Sequence, residues 1–235
     1  MNHNGNATSK APGSLDFDTA RHEMVACQIR GRDIHSKRVL EAMETVPRHL
    51  FVPSQHAHEA YGDSPLPIGE GQTISQPFMV AAMADALLLR GPERVLEVGA
   101  GSGYQSAVLS RLASIITTVE AQHVLAVSGR ERLAELGYKN VRVEEGDGSL
   151  GWPSDAPYDA ILVTAAAPAV PQPLIDQLAE GGRLVIPIGA PDHQELLRIT
   201  KLHSRTTKES LYACRFVPLI GRHGWRPDSL GSARG

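Results

Sequence analysis

Val95-Leu96-Glu97-Val98-Gly99-Ala100-Gly101-Ser102-Gly103-Tyr104 is a short apolar run interrupted by an acid and followed by three alternating glycines. Ala107-Val108-Leu109 and Leu112 come next with helical spacing. Strand, glycine turn and helix in that order is how α/β proteins bring backbone close to a nucleotide. Glycine is needed there because the chain turns with positive φ and because a Cβ would stand between backbone and ligand.

The spacing separates one cofactor from another. A dinucleotide fingerprint, G-x-G-x-x-G, requires glycine where this chain has Tyr104 or Ser106. E-x-G-x-G-x-G fits residues 97–103 without a mismatch. It resembles motif I of the S-adenosylmethionine-dependent methyltransferases, which implies Glu97, Gly99, Gly101 and Gly103 as cofactor-binding residues. A plain structural turn is the competing reading of the same glycines.

Composition excludes several classes. At 235 residues the chain is long enough for one α/β domain with a full core. Hydrophobic residues at 42% and charged residues at 21% are ordinary for a soluble globular protein. A net charge of -3 gives no basic footprint, so neither nucleic acid nor membrane is expected as a partner. The longest apolar runs, such as Val80 to Leu89, are broken by a charge and too short to span a bilayer. Residues 1–16 are polar without a signal-peptide core, so the cytoplasm is the expected compartment. Cys27 and Cys214 are expected as buried free thiols.

The pattern predicts a disordered arm over 1–16, a single domain over 17–220 and a flexible tail over 221–235. Within the domain, residues 17–77 form a helical and loop extension facing substrate, and 78–220 form the cofactor-binding core. Helices are expected over 17–30 and 36–45, then a proline-bounded break at 46–53 and a long loop at 61–77. A loop of that length inside a compact domain is more often functional than idle. Strands at 94–98, 115–119, 141–144, 158–164 and 183–188 alternate with helices at 104–113, 122–136 and 171–179. Gly181-Gly182 reads as the cap of the last helix. Segments 196–202 and 211–217 alternate like a terminal antiparallel hairpin. The whole is a doubly wound, mostly parallel α/β sheet.

Ligands of such sheets sit at the carboxyl ends of the strands. Glu120 closes the second strand 17 residues after Gly103, about where an acid accepts both ribose hydroxyls; a solvated strand-end charge is the alternative. Asp147, between Gly146 and Gly148, is placed either to meet an adenine amino group or simply to build a turn. Trp152 is open to two readings, adenine wall or core edge. Strand four ends in Val163-Thr164-Ala165-Ala166-Ala167-Pro168, which supplies no acid or base and lacks the Asn/Asp-Pro-Pro-aromatic pattern of amino-directed nucleic-acid methyltransferases. His56 and His58 do not share a helix face, and no third ligand is spaced to help them, so no metal is expected.

Further segments extend the resemblance. Pro65-Leu66-Pro67-Ile68-Gly69 followed by Gln72-Thr73-Ile74-Ser75-Gln76-Pro77 resembles the signature of the protein-L-isoaspartate O-methyltransferases. Residues 46–53, Gly146-Asp147-Gly148, Gly181 to Gly189 and Arg215-Phe216-Val217-Pro218-Leu219 agree in the same order. One departure is Phe78, where Tyr or His is frequent in that family. The resemblance implies Ser75 as the catalytic residue and Thr73, Ile74, Phe216 and Val217 as substrate-binding. It implies Glu97, Gly99, Gly101, Gly103, Glu120, Asp147 and Gly148 as the binding set for S-adenosyl-L-methionine. The implied reaction is methylation of the free α-carboxylate of isoaspartyl residues in proteins and peptides by a monomeric enzyme. That carboxyl is ionised at neutral pH, with a reference pKa near ~3.5, so no general base is demanded. The rivals are a small-molecule O-methyltransferase on the same fold, a non-catalytic nucleotide-binding module and an NAD oxidoreductase.

Overall fold

The computed structural model describes residues 16–203 and 205–226. The arm expected over 1–16, apart from Asp16, lies outside the described residues, as does the tail from 227 onward. Asp16 caps the first helix, accepting the Thr19 amide at 3.3 Å.

The chain enters through α1 (Phe17–Glu23), which continues as a π-helical stretch Met24–Ile29 and a single 3-10 turn Arg30–Arg32. Met24, Val25 and Ile29 are buried on that stretch and Cys27 faces outward. The expectation of a buried thiol therefore fails at Cys27, because the widened turn carries its side chain off the apolar stripe. Cys214 is half-buried. α2 (Lys37–Thr45) buries Val39, Leu40, Ala42 and Met43 and ends before Pro47.

The loop expected over 61–77 holds a small ribbon instead. β1 (Leu66–Gly69) pairs antiparallel with β2 (Gln72–Ile74) around a turn in which Gly69, Glu70 and Gly71 all have positive φ. Pro65 and Pro67 argue against a strand in a larger sheet, but a two-stranded ribbon always leaves one edge free of ladder bonds. α3 (Pro77–Ala86) then leads to the main sheet.

That sheet has seven strands. β3 (Arg94–Val98), β4 (Ile115–Glu120), β5 (Val141–Glu145), β6 (Tyr158–Val163) and β7 (Leu178–Ala190) are parallel; β8 (His193–Leu202) and β9 (Arg205–Cys214) extend it antiparallel. The order is β5-β4-β3-β6-β7-β8-β9, with α4 (Tyr104–Ser110), α5 (His123–Glu135) and α6 (Gln172–Asp176) as connections. This is the doubly wound arrangement expected. β9 starts at Arg205 rather than Leu211 and ends at Cys214, so residues 215–217 leave the sheet. Gly181 and Gly182 lie inside β7 and cap no helix. They sit at the register shift opposite Tyr158 and Ala160, where Gly181 has φ +75 and a Cβ on Gly182 would come within 2.8 Å of the Ala179 carbonyl.

Parallel strands buried on both faces alternate their side chains between two cores. Val95, Ala160 and Leu162 face one core, shared with α3, α4 and the N-terminal helices; Leu96, Ile161 and Val163 face the other, shared with α6. The N-terminal extension is fastened to the first core at residues 48–51. There Phe51 is 1% exposed and meets Tyr104 edge-on at 5.5 Å, and fully buried Arg48 stacks over the same ring at 4.9 Å. Arg48 Nε donates to the Ala60 carbonyl at 2.7 Å, and burial draws its guanidinium below the usual arginine range.

Phe51→Ala should lower unfolding stability by about 3–5 kcal/mol, read from urea denaturation with unchanged slope. A loss under about 1 kcal/mol would mean that the extension is not fastened here.

Candidate active site

The glycine loop is shaped by what lies against it. Gly99, Gly101 and Gly103 have φ of +95, +52 and +87, and Gly103 starts α4. A Cβ on Gly99 would collide with the Thr164 hydroxyl, and one on Gly101 would reach Ile68 of the β1–β2 ribbon at 3.3 Å. Thr164 ties this crossing together. Its amide donates to the Val98 carbonyl at 2.9 Å, and its hydroxyl faces the Val98 and Gly99 carbonyls at 3.0 and 2.8 Å.

Glu120, 6% exposed, points from the end of β4 back toward the loop. Its carboxylate accepts the Gly101 amide at 2.8 Å and the Gln122 amide at 3.0 Å. Each oxygen thus keeps acceptor capacity toward the cleft it lines, which is what a vicinal diol requires.

That cleft, a cavity of about 120 Å³, lies at the carboxyl ends of β3, β4 and β6. Its walls are the loop 99–102, residues 120–122, Gly148, Thr164-Ala165, the ribbon residues 72–75 and the segment 217–220. A wider groove opens beside it, walled by α3, the end of β9 and Phe216. Thr73, Ser75, Thr164, Val217 and Pro218 line both spaces, so they form the passage between them. Ser75 makes no hydrogen bond to a described residue, and α3 is capped at Gln76 with no side-chain bond, so its hydroxyl is not engaged as a helix cap.

The residues proposed from the sequence therefore separate. Gly99, Gly101, Glu120, Gly148 and Ile74 line the cleft, Phe216 lines the groove, and Thr73, Ser75 and Val217 line both. Gly103 sits behind the wall, where a Cβ would press on Leu133 at 3.2 Å. Glu97 is not on the wall either. It is fully buried beneath the loop, bonded to the Ser106 hydroxyl, with Oε1 lacking a hydrogen-bond partner. Burial pushes its carboxyl up to about 8; the Ser106 and Thr118 hydroxyls pull it back and the neighbouring Glu120 carboxylate adds to the rise. Thr118 stops short of bonding geometry, since its hydroxyl has no partner.

Asp147 is occupied elsewhere. Oδ1 accepts the Ser149 amide and hydroxyl at 2.9 and 2.6 Å, and Oδ2 accepts the Arg222 amide at 2.7 Å. With the His223 amide on Ser149 Oγ at 2.9 Å and Trp225 Nε1 on the Ala166 carbonyl at 3.1 Å, this holds residues 219–226 across the cleft. Within 221–226, counted in the expected tail, the Arg222 and His223 amides find side-chain acceptors, and the Gly221, Gly224 and Trp225 amides find backbone carbonyls. Trp152 packs at the edge of the second core and does not line the cleft. Sequence reading missed Thr164 and the wall made by Leu219 and Ile220. The position of Thr164 at the end of the strand beside β3 was the available signal.

The Glu97 carboxyl sets a pH dependence. Its folded-state pKa is raised, so its contribution to stability is full below the ordinary carboxylate range and is lost as pH rises toward 8. Glu97→Gln mimics the neutral acid and should flatten the decline by up to about 1.4 kcal/mol per pH unit between pH 5 and 8. Urea titrations of both proteins at pH 5.5, 6.5 and 7.5 decide it; parallel curves would mean that Glu97 is ionised throughout.

Comparison with known proteins agrees with this geometry. Residues 19–224 match the model of the family described as protein-L-isoaspartate(D-aspartate) O-methyltransferase (PCMT). A protein-L-isoaspartate O-methyltransferase of Trichlorobacter lovleyi is 54% identical over 216 residues, 92% of this chain and 100% of that protein. Its counterpart from Methanoculleus marisnigri is 53% identical over 208 residues, 88% and 94% of the two chains. Among solved structures, a Plasmodium falciparum protein-L-isoaspartate O-methyltransferase in complex with S-adenosyl-L-homocysteine superposes with TM-score 0.73 at 26% identity, covering 85% of this chain and 98% of that one. Family model, relatives and fold converge on one conclusion: this chain belongs to the protein-L-isoaspartate(D-aspartate) O-methyltransferase family.

Proposed function

We propose that the chain transfers the methyl group of S-adenosylmethionine to the free α-carboxylate of L-isoaspartyl residues in damaged proteins and peptides, the first step of their repair. The observation that carries this reading is the passage of five residues joining the cleft to a second, larger groove. A small-molecule methyltransferase would close a lid over its acceptor; here the acceptor side is a groove larger than the cleft itself.

The cleft suits the cofactor. The Glu120 carboxylate, fixed by the Gly101 amide, would hold the ribose of its nucleoside end, with Gly148 bare because a side chain there would collide with Val98. When bound, S-adenosylmethionine supplies an electrophilic methyl carbon on a sulfonium. The chain's own task is to hold a carboxylate oxygen in line with that carbon. Ser75, with a free hydroxyl in the passage, donates to the substrate carboxylate, and Thr73 and Val217 frame it. None of the five passage residues is an acid or a base, which suits a nucleophile already ionised. The methyl ester is then open to attack by the following backbone nitrogen, which expels methanol and closes a succinimide that hydrolyses without the enzyme. We place this work in the cytoplasm, by a monomer; among the described residues no helix is long and apolar enough to cross a membrane.

Purified protein should make base-labile methyl esters on an isoaspartyl peptide and leave its aspartyl twin essentially unlabelled; equal labelling would sink the repair reading. Glu120→Ala should weaken S-adenosylhomocysteine binding about 10- to 150-fold, the equivalent of ~1.5–3 kcal/mol for a charge-assisted pair, as read by calorimetry. Ser75→Ala should slow methyl transfer about 10- to 100-fold with cofactor affinity changed by less than ~1 kcal/mol. Wild-type turnover would make Ser75 an ordinary ribbon residue.

A further inference from the structure

The groove beside the passage has its own chemistry. Among the described residues, its only charged wall residues are Arg32 and Arg215, in a chain whose net charge is -3. Arg32 has two contacts that orient it. Its guanidinium carbon stands 3.7 Å from the centroid of the Phe78 ring, and Nη1 bonds Asp63 at 3.1 Å. Phe78 is itself 6% exposed and braced edge-on by Tyr212 at 5.7 Å. Arg32 Nε and Nη2 make no hydrogen bond to a described residue, and its side chain is 42% exposed. Arg215 is exposed and makes no ion pair or hydrogen bond with a described residue. Phe78, the departure noted in the sequence, presents an unsubstituted ring face on which a cation is fixed.

We propose that Arg32, stacked on Phe78, and Arg215 form a recognition site for an acidic side chain within three residues of the isoaspartyl unit, so that the chain favours damaged sites in acidic segments. This rests on the isoaspartyl reading above. The planar fork of Arg32 leaves two donors for a carboxylate, and ring and Asp63 have already restricted its rotamers. Arg215, next in sequence to Phe216 and two residues from the passage residue Val217, supplies the second positive charge on the groove wall. An extended peptide advances about 3.3–3.6 Å per residue, so neighbours of the reacting residue fall within the groove.

The test is a set of isoaspartyl hexapeptides carrying Glu, Gln or Lys at each position up to three residues on either side, with KM measured on the full chain. KM for the best Glu peptide should lie about 5- to 20-fold below that of its Lys twin at low salt, and the gap should narrow in ~0.5 M salt. Arg32→Gln and Arg215→Gln should each shrink the Glu-to-Lys ratio about 2- to 5-fold, and Arg215→Glu should reverse it. Because the ratio is taken on one protein preparation, loss of folded protein or of cofactor affinity cancels. Equal KM values across the set, with all peptides methylated, would overturn the recognition site and leave the repair reading standing. No labelling of any isoaspartyl peptide would overturn both.

Discussion

The rest of the structure depends on a close approach at the carboxyl end of β3. Three segments must meet there with no side chain between them: Gly99 against Thr164, Gly148 against Val98, and Gly101 against Ile68. The first two contacts leave no room even for a methyl group, and Gly99 turns with a φ that L side chains rarely adopt. Because the crossing is so tight, the Gly101 amide comes within 2.8 Å of the Glu120 carboxylate, and the cleft acquires its polar floor without importing a loop from elsewhere. The β1–β2 ribbon sits on the same point through Ile68, which brings Thr73 and Ser75 to the edge of the cleft.

Underneath lies a second constraint. Glu97 is buried with one oxygen unbonded, which would be costly as a charge, and burial favours its neutral form. The two carboxyls differ in surroundings although they are both strand residues: Glu97 is fully buried, whereas Glu120 accepts the Gly101 amide and lines the cleft. One supports the turn from behind, and the other faces the ligand space.

How much of this was legible follows from where each feature takes its cause. The glycine loop, Glu120 and the strand alternation were legible because spacing and period alone specify them. Asp147 was visible as a strand-end acid, but its partners, the Arg222 amide and Ser149, are 75 and 2 residues away, and only the fold reveals which it takes. The strap 219–226 reads as loose because Gly, Arg and His carry no periodic signal; its bonds run to Asp147, Ser149 and Ala166. Cys27 misled because a π-helical stretch shifts the buried positions away from the 3.6-residue period. The ribbon at 66–74 was hidden by prolines that an edge strand tolerates. Gly181-Gly182 has the composition of a helix cap and the geometry of a bulge, and composition cannot separate the two.

The division between cleft and groove explains why so little of the site consists of acids and bases. The reacting carboxylate arrives charged, so the protein needs position and a donor rather than proton transfer. Positioning is a demand on backbone, and the passage accordingly draws on β2, the end of β6 and the segment after β9, three pieces of chain fixed by independent contacts. Thr164 joins the two requirements: its amide and hydroxyl fix the β3 turn while its side chain lines both cleft and groove. A shift of that one residue would move the wall of the cleft and the wall of the groove together, which under the proposed reading would displace cofactor and acceptor at once.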